Sequence, residues 1–259
     1  MMRHSVLYVI VFAIVAWSQQ VHAEWYAAGY GGYNFPQSLK DVSMNALGER
    51  LALSQFGNPD TAQASIQQSF VTSDLALKSA PLFGGKAGYF FSEEGFNWVG
   101  VEVEAYTTKT NIKAQTASFD QNILYTPTQI SCIPSQPTAL GCPQQVRNTG
   151  QLQLQESSMR LVVVALNVVA RYPGQVFQPY VGVGGGAFYF SSSGQVSGRQ
   201  VVPGLNLITG LKVLITEEWG LFAEGKYNMA TFTNLDPTGF GLSGQYTSFG
   251  TVFGIAYHF

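Results

Sequence analysis

Charge is scarce in this sequence of 259 residues: Asp, Glu, Lys and Arg together make up 11%, against about 25% in a typical soluble domain. A water-facing surface of that length needs more. Beyond residue 23 there is no apolar run near the roughly 20 residues that a membrane-spanning helix requires. By the helix criterion alone the rest of the chain looks water-soluble. Histidine is limited to His4, His22 and His258, which leaves little material for a general base. Basic residues are few and dispersed, 13 Lys+Arg against 15 Asp+Glu, and this sets nucleic-acid binding aside.

What is present begins with MMRHSVLYVIVFAIVAWSQQVHA, in which Arg3 and His4 precede an apolar run from Val6 to Trp17 and a polar stretch closes on Val21-His22-Ala23. That pattern is a secretory signal peptide over residues 1–23, cut after Ala23. Twelve apolar residues are too few to cross a bilayer core of about 30 Å at about 1.5 Å per residue. The remaining domain, residues 24–259, then carries 12 Lys+Arg against 15 Asp+Glu. Cys132 and Cys142 lie nine residues apart in a Pro/Gly-rich loop of an exported chain, a setting that favours one disulfide. A zinc site there would want four ligands, and no histidine is near.

Aromatic residues make up 14% of the sequence and glycines number 28. Their distribution predicts eight strands, at about 24–34, 76–91, 97–109, 157–171, 177–190, 203–215, 220–230 and 245–259. Three connections are short, 92–96, 172–176 and 216–219, and four are longer and polar, 35–75, 110–156, 191–202 and 231–244. Long and short alternate strictly. Short periplasmic turns, longer external loops and an even strand count mark an antiparallel up-and-down transmembrane β-barrel in a bacterial outer membrane.

The strands can be tested for a lipid-facing and a lumen-facing row, because side chains alternate across a strand. In the last one, Phe249, Thr251, Phe253, Ile255, Tyr257 and Phe259 oppose Ser248, Gly250, Val252, Gly254, Ala256 and His258. The seventh sets Leu221, Ala223, Gly225, Tyr227 and Met229 against Phe222, Glu224, Lys226 and Asn228. The sixth places Asn206, Gly210 and Lys212 inward, the third Trp98, Gly100, Glu102, Glu104 and Tyr106, and the second Gly84, Lys86 and Gly88. Facing stays open in 24–34. It also stays open in 157–171, where both faces are apolar and only Asn167 and Arg171 favour odd positions inward. Upstream, QLQLQE keeps that parity, so the strand is expected to continue outside the membrane as half of an external hairpin.

Six charges thus fall on lumen positions: Lys86, Glu102, Glu104, Lys212, Glu224 and Lys226, three acids and three bases. An eight-stranded barrel is only wide enough for its own side chains, and an unpaired buried charge is costly. A salt-bridge plug is therefore favoured over an ion or proton pathway. Inward glycines such as Gly182, Gly184, Gly210, Gly250 and Gly254 suit either by making room.

The stretches VFQPYVGVGGGAFYF, GLKVLITEEWGLFAEGKYN and the terminal GIAYHF resemble the outer-membrane β-barrel domain family that includes the eight-stranded barrel of outer membrane protein A and its smaller relatives. The resemblance spans essentially all of residues 24–259. It implies that Phe253, Ile255, Tyr257 and Phe259 act as the signal read by the barrel assembly machinery, and that the inward acids and bases form a lumen network. It also implies contact with outer-membrane lipid and lipopolysaccharide. No peptidoglycan-binding domain is expected after the barrel, and the first two external loops are longer than in the smallest relatives.

No enzyme activity is expected. A serine hydrolase needs a histidine base, and His258 sits at the periplasmic rim, far from where lipid A would be met. No cofactor or metal is called for. The expected role is structural or surface-interacting, with an unidentified loop ligand and a monomeric barrel. A narrow channel for small hydrophobic or ionic solutes is the alternative, and a lipid-modifying enzyme a weaker one. A soluble lipocalin-like barrel would want polar outer faces, which the row from Phe249 to Phe259 opposes. The segment SLKDVSMNALGERLALSQF, with Leu39, Val42, Ala46 and Leu47, is expected to form a short helix capping the barrel mouth.

Overall fold

Alternating side chains and short turns bring sequential strands side by side, and each pair zips antiparallel with one face apolar enough for lipid. The computed structural model describes residues 25–57, 64–91, 96–129, 132 and 141–259. The expected signal peptide, the expected connection at 92–95 and residues 133–140 between the cysteines lie outside the described residues.

Eight strands form the barrel: β1 (Trp25–Pro36), β4 (Ala80–Phe91), β5 (Phe96–Ile112), β8 (Ser157–Arg171), β9 (Phe177–Ser193), β10 (Gly198–Leu214), β11 (Trp219–Phe232) and β12 (Leu242–His258). They pair in that order, and β12 returns to β1 from Tyr26↔His258 to Pro36↔Ser248 to close the cylinder. The fold is a closed eight-stranded antiparallel barrel. Among the described residues no helix is long and apolar enough to cross a membrane, so the crossing is made by strands.

Four of these strands run to 17 residues, well beyond the about 9 to 11 that a tilted span needs. The excess lies at the long-loop end, so the barrel wall continues outside the membrane. This shortens the connection expected at 191–202 to residues 194–197. Strand pairing persists there because Gly194, at φ 115°, turns the chain tightly.

The two longest connections are themselves folded. Residues 37–79 contain β2 (Lys40–Met44), helix α1 (Asn45–Phe56) and β3 (Ala64–Thr72), and residues 113–156 contain the hairpin β6 (Gln115–Pro127) and β7 (Gln144–Leu154). Beyond Ser248 the edge of β12 passes from β1 to β2, through Leu242↔Met44 and Ser243↔Ser43. Pro36 ends the β1 pairing, and the chain returns one strand later to occupy the vacated edge. The sheet then runs on through β3 and β6 to β7.

Helix α1 differs from its expected form. Leu39 and Val42 precede it, and its buried stripe is Gly48, Ala52 and Phe56, spaced at i, i+4 and i+8. Phe56 stacks on Tyr125 of β6 at 4.8 Å, which places the helix on the external sheet. Its first turn is held by loop carbonyls, with Asn45 N–H donating to Gly241 O at 3.3 Å and Leu47 N–H to Phe240 O at 3.2 Å. The mouth is filled by Leu39 and Val42 themselves. Together with Met44, Phe70, Leu75, Phe190, Phe232 and Tyr246 they form an apolar core inside the outer half of the barrel.

Facing is settled in both open strands. β1 turns its even positions inward, burying Tyr26, Tyr30 and Asn34, while β8 buries odd ones, Leu161, Val163, Ala165 and Asn167. In β5 the expected inward row holds from Gly100 upward, but Trp98 is 51% exposed because it sits at the rim, below the enclosed lumen.

Candidate functional site

Beneath the apolar core the lumen is polar, and the groups of its network come from seven strands. β4 supplies Lys86, β5 supplies Glu102 and Glu104, and β11 supplies Glu224 and Lys226. Register sets Glu104 beside Lys86 and Glu102 beside Asn167. Lys86 Nζ lies 2.5 Å from Glu224 and 3.1 Å from Glu102. Lys226 Nζ lies 2.7 Å from Glu224 and also pairs with Glu104. The five charges therefore form one chain, Glu102–Lys86–Glu224–Lys226–Glu104.

Each carboxylate also accepts from one phenol. Tyr26 donates to Glu102 at 2.5 Å, Tyr180 to Glu224 at 2.7 Å, and Tyr30 to Glu104. Asn167 donates to Glu102 at 3.0 Å, and Asn206 donates to Glu104 at 3.1 Å and to the Asn167 amide oxygen at 2.9 Å. Buried carboxylates are tolerable only when their lone pairs are filled in this way. Space for these long side chains is made by glycine. A Cβ on Gly184 would meet Asn167 Oδ1 at 2.1 Å, and one on Gly210 would meet the Tyr180 ring at 2.6 Å.

Lys212 does not join the chain. It projects nearer the periplasmic end, with its Nζ 3.3 Å from His258 Nε2 and 4.2 Å from the centre of the Tyr26 ring. The connected network thus holds three acids and two bases rather than the balanced six. The tyrosines were not foreseen as network members. Tyr26 and Tyr30 stand on a strand whose parity the sequence leaves open, and Tyr180 becomes a partner only through the closed cylinder.

His258 is stacked on Tyr26 at 5.6 Å and has Lys212 as its polar side-chain neighbour among the described residues. Among the described residues no group of His, Cys, Asp and Glu could hold a metal ion. Cys132 and Cys142 are disulfide-bonded between β6 and β7.

The outer wall carries the residues read as an assembly signal. Phe253, Ile255, Tyr257 and Phe259 are 69%, 52%, 36% and 64% exposed, on one row. From Phe249 to Phe259 that row rises about 23 Å at a tilt of about 45°, close to the apolar band of about 25 Å found on outer-membrane barrels. At its lower end Trp25 packs on Tyr89 and Trp219 on Tyr257, both at 4.9 Å. These rings mark a girdle at the membrane interface.

A closed antiparallel barrel with an apolar aromatic exterior and a polar lumen defines an outer-membrane barrel protein. The profile of the outer membrane protein beta-barrel domain matches residues 5–249, and the chain belongs to that family. Comparison with curated proteins returns no sequence match. Among solved structures, the chain is similar to Neisserial surface protein A, at 13% identity and TM-score 0.47, covering 91% of this chain and 97% of that one. It is also similar to OprG from Pseudomonas aeruginosa, at 15% identity and TM-score 0.41, covering 92% and 96%. A third is Ail, the attachment invasion locus protein of Yersinia pestis, solved with a heparin analogue, at 13% identity and TM-score 0.40, covering 91% and 99%.

Proposed function

We propose that this outer-membrane barrel is a non-conducting scaffold that presents its external sheet and helix to the cell's surroundings. The observation that carries this reading is the double filling of the lumen. A chain of ion pairs spans the membrane level, and an apolar core of Leu39, Val42, Met44, Phe70 and Leu75 occupies the outer half. An ion crossing the barrel would have to part Lys86 and Lys226 from three carboxylates and then pass a dry section. Both steps are costly.

The external sheet supplies surface rather than a passage. One face of β3 and β6 is covered by α1, and the other exposes Ser65, Gln67, Ser69, Ser118 and Asn122, with Gln145, Arg147 and Gln151 on β7. This polar area is where a loop ligand would meet the protein, at the level of lipopolysaccharide headgroups. During biogenesis the row ending in Phe259 is read by the assembly machinery.

Planar-bilayer recording of the purified, refolded protein tests the reading. No reproducible conductance steps are expected. Steps whose ion selectivity changes on reversing Glu102, Glu224, Lys86 or Lys212, with folding intact, would replace the scaffold with the narrow channel.

A further inference from the structure

The periplasmic end of the lumen holds a small pocket below the ion-pair chain, lined by Tyr26, Phe90, Arg171, Gln178, Lys212 and Phe222. Lys212 is 6% exposed, and no carboxylate among the described residues lies within ion-pair reach of it. Its polar neighbour is the His258 ring nitrogen at 3.3 Å, which uses at most one of its three donors. Gln178, its register partner on β9, does not relieve it. The Gln178 amide nitrogen donates to Gly174 O at 3.0 Å, while the amide oxygen has no partner.

Nearby charge adds to the demand. Lys86 reaches the same pocket but its charge is already balanced by Glu102 and Glu224. Arg171, a second cation at the mouth with partners of its own, lies over the Phe90 ring at 3.6 Å and donates to Asn97 O at 3.0 Å. The remaining lining is aromatic or aliphatic, and the Tyr26 ring face, 4.2 Å from Lys212 Nζ, offers a cation–π contact but no counter-charge. A buried ammonium in such a place either loses its proton or recruits a counter-ion.

We propose that this pocket binds a small monatomic anion, chloride in its natural setting, with the Lys212 ammonium as principal ligand. Size favours the smallest anions: the partly open pocket has free space for about one water-sized particle, so a halide needs only a small withdrawal of the flexible Lys212 side chain, whereas phosphate or a carboxylate-bearing solute needs several times that room. Entry is from the periplasmic mouth, and the ion-pair chain above bars onward passage, so the site is an end-point rather than a step in conduction. An anion there fixes the Lys212 side chain, and through it the lower ends of β10 and β12.

The test compares thermal unfolding of detergent-folded protein in sodium chloride and sodium gluconate at equal ionic strength. The wild type is expected to unfold about 3 °C higher in chloride, saturably, and Lys212→Met to lose that difference. Lys212→Arg should retain part of it. Should Lys212→Met fail to fold, wild-type crystals soaked in sodium bromide read the site directly, through an anomalous peak beside Lys212 Nζ. Equal unfolding temperatures in the two salts, a difference that survives Lys212→Met, or an empty pocket in bromide would each overturn the proposal. The last would mean that Lys212 is held neutral against His258.

Discussion

Glu224 is ion-paired with two lysines and accepts from a tyrosine, and this sharing determines which single changes in the lumen are severe. Removing Lys226 as Lys226→Met leaves Glu104 with only Tyr30 and Asn206 and the network with three acids against one base. Loss of about 3–5 kcal/mol is expected, as for other broken buried pairs. Glu104→Gln leaves Lys226 paired to Glu224 in a balanced set of two acids and two bases, so it should cost less. The double variant should recover part of the Lys226→Met loss. Urea unfolding of the detergent-folded barrel, followed by electrophoretic mobility, ranks the three; a Glu104→Gln barrel weaker than Lys226→Met would contradict the charge chain. Much of this was visible residue by residue in the sequence, since all five charges lie on inward positions by simple alternation. The phenols were not, because hydrogen bonding to Glu102 and Glu104 depends on strands 76 and 74 residues away in sequence.

The eight barrel strands were recognisable as elements because lipid outside and polar groups inside impose a period of two that each strand carries alone. The external elements were harder to read, because their apolar residues face a small local core rather than a uniform solvent. Leu39 and Val42 read as part of the helix, β6 appeared only as polar loop, and QLQLQE read as an extension of the strand at 157–171, whereas it closes the separate strand β7 at Leu154. Phe56, with Ala52 on the same face, anchors α1 against Tyr125 and Ile123 of β6. Phe56→Ala should release the helix, at about 3 kcal/mol for a core Phe truncation. Limited proteolysis should then cut within 45–63 while the membrane-embedded barrel stays intact, whereas an unchanged digestion pattern would count against the packing.

Acid should act on the same region. Asp120 on β6 is held below the usual carboxylate value by hydrogen bonds and charge from Arg147, and Glu156 by hydrogen bonds from Lys78 and Asn111. A depressed folded pKa contributes stability above the unfolded value, lost as pH falls through the folded one. Protease resistance of the hairpin should therefore decline below about pH 4. Both pairs are solvent-exposed, so the effect is small and salt-sensitive. Asp120→Asn should flatten the part due to Arg147, and an unaltered pH profile would show that the pair does not hold the hairpin.

At the scale of the whole molecule, closure of β12 on β1 makes an inside and an outside from a single sheet. In the proposed assembly role the same strand is also recognised before the barrel exists. Phe259→Glu places charge at the end of the outward row, where the folded barrel tolerates it near the interface. Outer-membrane insertion in cells should fall several-fold while refolding into detergent in vitro is nearly unchanged. Equal insertion of variant and wild type would remove the assembly role from Phe259.

The sequence by itself determined the barrel, its strand count, its two longest connections and the inward placement of its charges. All of these follow from local alternation and from the absence of any helix-length apolar run. Only the tertiary structure decided the partners. Lys226 meets Glu104 across 122 residues, whereas Lys212, with the same residue type and parity, is set lower on β10 and meets His258 instead. Alternation says which face a side chain takes, and nothing about its height in the cylinder or which strand stands opposite. Those depend on register and closure, so the connected ion-pair chain and the solitary lysine beneath it become distinct only once all eight strands are in place.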